Sequence, residues 1–93
     1  MYLNLGNALQ VLNRPDEAIL NYQRAVQLVP SFAEAHFNLG KTLRNRGSTE
    51  EALRAFNRAI EFQPEFTDAL LDRGELFSAT GLLDKARQDY TRA

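Results

Sequence analysis

The residues that could do chemistry are few and scattered. There is one histidine, His36, and no cysteine among the 93 residues, so disulfides, thiolate metal ligation and a histidine-based metal site are all out of reach. The nearest thing to a constellation is Asp68, Asp72 and Glu75, at offsets of four and seven. That spacing puts three carboxylates on one helix face, where they could hold a cation loosely, but such carboxylates are ordinarily solvated. No serine, histidine and aspartate fall into a nucleophile–base pattern. The glycines Gly6, Gly40, Gly47, Gly74 and Gly81 stand singly and build no phosphate-cradling loop. The side chains with most to offer are instead amides and paired charges. Asn4, Asn38 and Asp72 recur at one interval, and Lys41 with Arg44 precedes the acidic group. An amide both donates and accepts a hydrogen bond, so a row of them suits recognition of a peptide backbone rather than bond-breaking. The sequence is therefore expected to be non-catalytic and to need no cofactor.

What must position these groups is a repeat. Shifted by 34 residues, the chain lands on itself: Gly6, Gly40 and Gly74 align, as do Ala18, Ala52 and Ala86, and Tyr22, Phe56 and Tyr90. Ala25, Ala59 and Ala93 form another column, Arg24, Arg58 and Arg92 a surface one, and Pro30 matches Pro64 as Phe32 matches Phe66.

One unit, Ala33 to Phe66, shows the physics. His36, Leu39, Gly40 and Leu43 follow i, i+3, i+4, i+7, one face of a helix. Ala52, Phe56 and Ala59 give the same pattern in a second helix. Asn45-Arg46-Gly47 breaks the chain between them, with Gly47 suited to a helix C-terminus. Ser48 with Glu51 reads as a capping box, and Pro64 ends the second helix. In the first unit Pro15, Asp16 and Glu17 favour a helix start, and in the third the second helix opens at Leu83. A mid-helix glycine costs about 1 kcal/mol against alanine, so its recurrence at Gly6, Gly40 and Gly74 implies close approach of the second helix.

The 34-residue period with Leu39-Gly40, Ala52, Phe56, Ala59 and Pro64 resembles the tetratricopeptide repeat. The resemblance covers all 93 residues as one domain: repeat 1 over 1–32, expected to begin inside its first helix, repeat 2 complete over 33–66, and repeat 3 over 67–93, expected to stop inside its second helix. Such a chain reads as a segment of a longer array without the capping helix that complete arrays carry. Two positions depart from the family pattern: His36 stands where Trp or Leu is usual, and Arg73 replaces Leu. The implied fold is all-α, an α-solenoid of three antiparallel helix pairs in a right-handed superhelix, with the first helices lining the concave side.

On that expected concave side the middle repeat presents Glu34, Phe37, Asn38, Lys41, Arg44 and Asn45. The matching positions are Leu3, Asn4, Asn7, Gln10 and Val11 in the first repeat, and Asp68, Leu71, Asp72, Glu75, Ser78 and Ala79 in the third. Leu3, Phe37 and Leu71 are expected to supply apolar contact. The basic middle and acidic end suit a peptide with acidic groups near repeat 2 and basic groups near repeat 3. The column Asn4, Asn38, Asp72 is similar to the asparagine ladder in the repeat arm of O-linked N-acetylglucosamine transferases, with Asp72 departing from it. Chaperone-binding members hold a C-terminal carboxylate with lysines, asparagines and an arginine. Asn7 and Asn38 match the asparagines, but Leu3, Asp68 and Asp72 stand where the cations belong, and two acids there repel a carboxylate.

The function implied is a protein-interaction module that takes an extended peptide or partner helix. The alternatives are the substrate-selecting arm of a larger enzyme, such as a glycosyltransferase, and a homo-oligomeric scaffold associating through its uncapped ends, where Leu82, Leu83 and Tyr90 lie. A net charge of −1 gives no global attraction to nucleic acid or anionic membrane, and the regularly spaced Tyr and Phe are core rather than stacking platforms for bases. No apolar run approaches the roughly 20 residues of a membrane span, and the first residues lack the features of a signal peptide, so a cytoplasmic location is expected.

Overall fold

Three left-handed residues at one repeat interval set the hairpin geometry. The computed structural model describes residues 1–93 as six helices and no strands. They are α1 (Tyr2–Val11), α2 (Pro15–Leu28), α3 (Ala33–Asn45), α4 (Thr49–Phe62), α5 (Thr67–Ala79) and α6 (Leu83–Arg92). Asn13, Gly47 and Gly81 turn the chain between the helices of each pair, with φ of 58°, 85° and 82°. Behind each lies the same pair of bonds. Gly47 N–H donates to the Arg44 carbonyl at 2.9 Å and Ser48 N–H to that of Leu43 at 2.9 Å, with counterparts after α1 and α5. This pattern satisfies carbonyls that a helix end leaves open.

One capping expectation fails. Ser48 does stand immediately before α4, but its side chain makes no capping bond. Its ψ of 72° lies below the extended range of roughly +100° to +180° from which a cap side chain reaches the first-turn amides. Arg14 and Leu82 share the position with ψ of 70° and 68°, so the turn, not the serine, dictates the backbone there. Pro15 does take the first turn of α2, followed by Asp16 and Glu17.

Contact is densest within the pairs α1–α2, α3–α4 and α5–α6, then between α2 and α3 and between α4 and α5. Each pair thus leans on the next, and the chain is a short all-α solenoid 36 Å in its longest dimension. Tyr22, Phe56 and Leu70 are its largest fully buried side chains, and burial of each stabilises the fold by about 1.5–3 kcal/mol. The glycine column has a specific cause: an aromatic ring sixteen residues later lies against it. A Cβ on Gly40 would stand 2.7 Å from Phe56 Cδ1, and one on Gly6 2.6 Å from Tyr22 Cε1.

The two departures in sequence are both satisfied internally. His36 is buried, its Nε2 lies 2.9 Å from the Pro30 carbonyl, and its ring stacks on Phe62 at 5.9 Å. Arg73 reaches across its pair to Asp89, with Nε donating to Oδ2 at 2.7 Å and Nη2 to Oδ1 at 2.5 Å, while Nη1 donates to Asn57 Oδ1 at 2.9 Å. The Asp89 side chain is only 3 % exposed. The corresponding positions of the middle repeat hold Leu39 and Ala55, so the third repeat exchanges an apolar pair for an ionic one.

Candidate functional site

The face of α1, α3 and α5 that turns away from the second helices is the candidate site. Periodicity places polar side chains there, and packing decides which of them are free. Leu3 and Phe37, expected as apolar contacts of a groove, belong to the core, at 8 % and 7 % exposure. The Phe37 ring lies 4.9 Å from that of Phe66 and 6.0 Å from that of Phe56. It joins the second pair to the start of the third, and that junction is what buries it. Only Leu71 of this apolar column is open, at 37 %.

At the junction of repeats 1 and 2 the amides meet. Asn38 Nδ2 donates to Asn7 Oδ1 at 3.1 Å. The same oxygen accepts from the Tyr22 hydroxyl at 2.5 Å, and Gln10 Nε2 donates to that hydroxyl at 2.6 Å. Tyr22 comes from the second helix: Gly6 lets its ring cross α1 and deliver the hydroxyl to this face. Burial pushes the Tyr22 hydroxyl above its usual pKa, with the Gln10 hydrogen bond pulling the other way. Asn4 is exposed and stands outside this network, so the column Asn4, Asn38, Asp72 is not a uniform row.

At the junction of repeats 2 and 3 the equivalent positions are ionic. Lys41 Nζ sits 5.0 Å from the centre of the Phe37 ring. Arg44 lies 4.0 Å from Asp72 and 3.6 Å from Glu75. The expected charge step is thus partly closed within the chain: the basic middle is drawn onto the acidic end because α5 brings its carboxylates within reach of α3. Burial raises the Asp72 carboxyl above the usual carboxylate range. Arg44 and Lys41 oppose that rise, and Glu75 and Asp68 add to it. Asp68 is exposed. Asp68, Asp72 and Glu75 do not converge as metal ligands.

Two groups of residues escape a reading by helix face alone. The Tyr22 hydroxyl is one, and its signal is a column in which Tyr22 accompanies Asn7 and Gln10 while Phe56 accompanies Lys41 and Arg44. The Arg73–Asp89–Asn57 network is the other. Its signal is the separation of sixteen residues that also divides Gly74 from Tyr90. No helix of the chain is long and apolar enough to cross a membrane.

Comparison with known proteins agrees with this architecture. The family model described as tetratricopeptide repeat matches residues 3–65 and 43–93. A crystal structure of MamA superposes with a TM-score of 0.94 at 28 % identity, covering 98 % of this chain and 53 % of that one. This chain therefore spans about half the length of the MamA chain. The second repeat domain of Spaghetti (RPAP3), bound to the HSP90 peptide SRMEEVD, superposes with a TM-score of 0.93 at 23 % identity, over 98 % of this chain and 84 % of that one. The first repeat domain of the same protein, bound to the same peptide, gives 0.93 at 24 %, over 98 % and 72 %. No curated protein matches the sequence.

Proposed function

The chain belongs to the tetratricopeptide repeat family, and from that premise we propose that it is a non-catalytic interaction module whose concave face, formed by α1, α3 and α5, takes an extended peptide or partner helix. The observation that carries this reading is the polar face itself. Its side chains touch across both junctions, Asn7 with Asn38 and Arg44 with Asp72, while partly open groups remain along it. A bound segment would run across the repeats and meet amides first and carboxylates last.

Charge narrows the partner. With Arg44 held against Asp72 and Glu75, and Asp68 exposed, the third repeat favours a segment that places a basic residue there. It disfavours the acidic tail that the Spaghetti domains are seen to hold, because Asp68 and Asp72 repel carboxylates. Three repeats present limited area, so affinity in the micromolar range is expected. Calorimetric titration with peptides selected from a randomised display library tests the reading. Failure to select any peptide overturns it, and micromolar binding of SRMEEVD overturns the charge argument.

A second reading rests on α6. Tyr90 is 44 % exposed whereas Tyr22 and Phe56 in the same column are fully buried, and Leu82 and Leu83 are open beside it. Contact of this apolar end with a second copy is the corresponding proposal. Sedimentation velocity showing a monomer at high concentration rejects it.

A further inference from the structure

A groove also runs along the opposite side of the molecule, between α2 and α4, with α3 as its floor. Two adjoining hollows of about 270 Å³ each make it up, and they share Val26, His36 and Arg58. Val26, Leu39, Leu43, Ala55 and Phe62 give it an apolar lining, and Gln23 stands on the α2 rim. On the α4 rim Glu51 lies at one end, with Arg54 and Arg58 further along. The groove follows α4 from Glu51 to Phe62, roughly 16 Å at the rise of a helix.

The repeat supplies an internal comparison, because the corresponding groove between α4 and α6 is filled by the chain itself. Arg73 stands there in the place of Leu39, and Asp89 in that of Ala55. The Arg73 guanidinium rises from the floor, pairs with Asp89 on α6 and donates to Asn57 on α4 at 2.9 Å. Asn57 is the counterpart of Gln23. Between α2 and α4 the floor offers only leucine and alanine at these places, so the groove stays open. The rim arginines differ as well. Arg92 donates to the Pro64 carbonyl at 3.2 Å. At the counterpart Pro30 the carbonyl accepts from His36 Nε2 at 2.9 Å, a bond that Leu70, in the column of His36, cannot make. Arg58, the counterpart of Arg92, is left in an exposed pair with Glu61 at 3.3 Å, of a kind that holds weakly. Arg54 takes part in none of the chain's ion pairs.

We propose that this groove is a second docking surface and that its occupant is a partner helix with an apolar stripe flanked by acidic residues. Both walls are helices that use their own N–H and C=O groups, so an extended segment would find no backbone partners there. A helix arrives with its backbone already satisfied and lays side chains at i, i+4 and i+7 into the groove. Charge selects the flanks. The acid that holds Arg73 in the next groove is replaced here by Ala55, while Arg54 and Arg58 stand free to meet carboxylates. The inference goes beyond the concave-face reading and does not depend on it, since α1 contributes no residue to this groove.

The test is selection of helical peptides on the intact 93-residue chain. The library fixes leucines at i, i+4 and i+7 in about 14 residues, enough to span the groove, and lets the flanking positions vary between Glu and Lys. Glu is expected to be enriched, with affinities of about 10–100 μM. NMR signals of Val26, Leu43 and Ala55 should shift, rather than those of Asn38 and Asp72. Leu39→Arg with Ala55→Asp transplants the ionic bridge of the third repeat and should abolish binding. Arg54→Glu, at an exposed position where folding is not at stake, should weaken binding about three- to tenfold. His36→Leu frees the Pro30 carbonyl for Arg58 and should weaken it about threefold. Selection of no peptide, enrichment of Lys over Glu, shifts confined to the face of α1, α3 and α5, or unchanged affinity of Arg54→Glu overturns the proposal. The concave-face reading stands or falls separately, on the titration described for it.

Discussion

Replacing Gly40 with alanine sets two effects of opposite sign against each other. In a helix interior alanine is favoured over glycine by about 1 kcal/mol, and Gly40 lies well inside α3. Against this, the new Cβ would stand 2.7 Å from Cδ1 and Cε1 of Phe56 and 3.2 Å from Cγ. Carbon atoms attract at about 3.5–4.0 Å, so the ring must retreat by about 0.8 Å. Phe56 is fully buried and has the Phe37 ring on one side, so retreat means shifting α4. Overpacking of this kind costs about 1–3 kcal/mol, and the net expectation is destabilisation by up to about 2 kcal/mol. Gly6→Ala should behave alike, since its Cβ would meet Tyr22 at 2.6 Å and that ring is held by its hydroxyl. Gly74→Ala should not. Its Cβ would come 2.8 Å from Tyr90, but that side chain is 44 % exposed and can swing away. There the alanine preference wins, and the change is neutral or stabilising by up to about 1 kcal/mol. Urea unfolding followed by far-ultraviolet circular dichroism reads all three. The reasoning is refuted if Gly40→Ala is more stable than the parent, or if Gly74→Ala proves less stable than Gly40→Ala. Gly40→Leu, with far more volume to place, should leave the domain unfolded.

Three further outcomes can be checked by the same unfolding assay. Gly47→Ala should cost about 1–2 kcal/mol because φ is 85° there, and Gly47→Asn should cost less, since Asn13 holds the same turn at φ 58°. Arg73→Leu alone strands the buried Asp89 carboxylate and should cost about 3–5 kcal/mol. Adding Asp89→Ala restores the Leu39 and Ala55 pattern of the middle repeat and should recover most of that loss. Asp72→Asn should be stabilising at neutral pH although it removes an ion pair. The folded carboxyl is raised above its ordinary pKa, so its ionisation opposes folding. That penalty is absent below the unfolded pKa, roughly pH 4, and grows as pH rises through the folded value. The advantage of the variant should accordingly vanish in acid, and an advantage that persists there contradicts the burial argument.

The sequence alone determined the architecture. A 34-residue self-match, with apolar positions at helical spacing and a glycine or asparagine at each turn, leaves little freedom once local signals and periodicity agree. That is why the six helices, the role of Pro15 and the packing of His36, Leu39, Gly40, Leu43 and Phe56 were legible. Only the tertiary structure decided which polar and apolar groups of the first helices stay available. A helical face is fixed by residues three and four apart. Whether Phe37 is open or buried depends instead on Phe66, twenty-nine residues later. The orientation of Asn38 depends on Asn7 and Tyr22, and the freedom of Arg44 on Asp72 and Glu75. Those contacts cross repeat junctions, where the rotation of one helix pair on the next sets the distance between side chains. Spacing along one helix carries no information about that rotation, so the fold could be read from the chain while the chemistry of its open face had to wait for the packing.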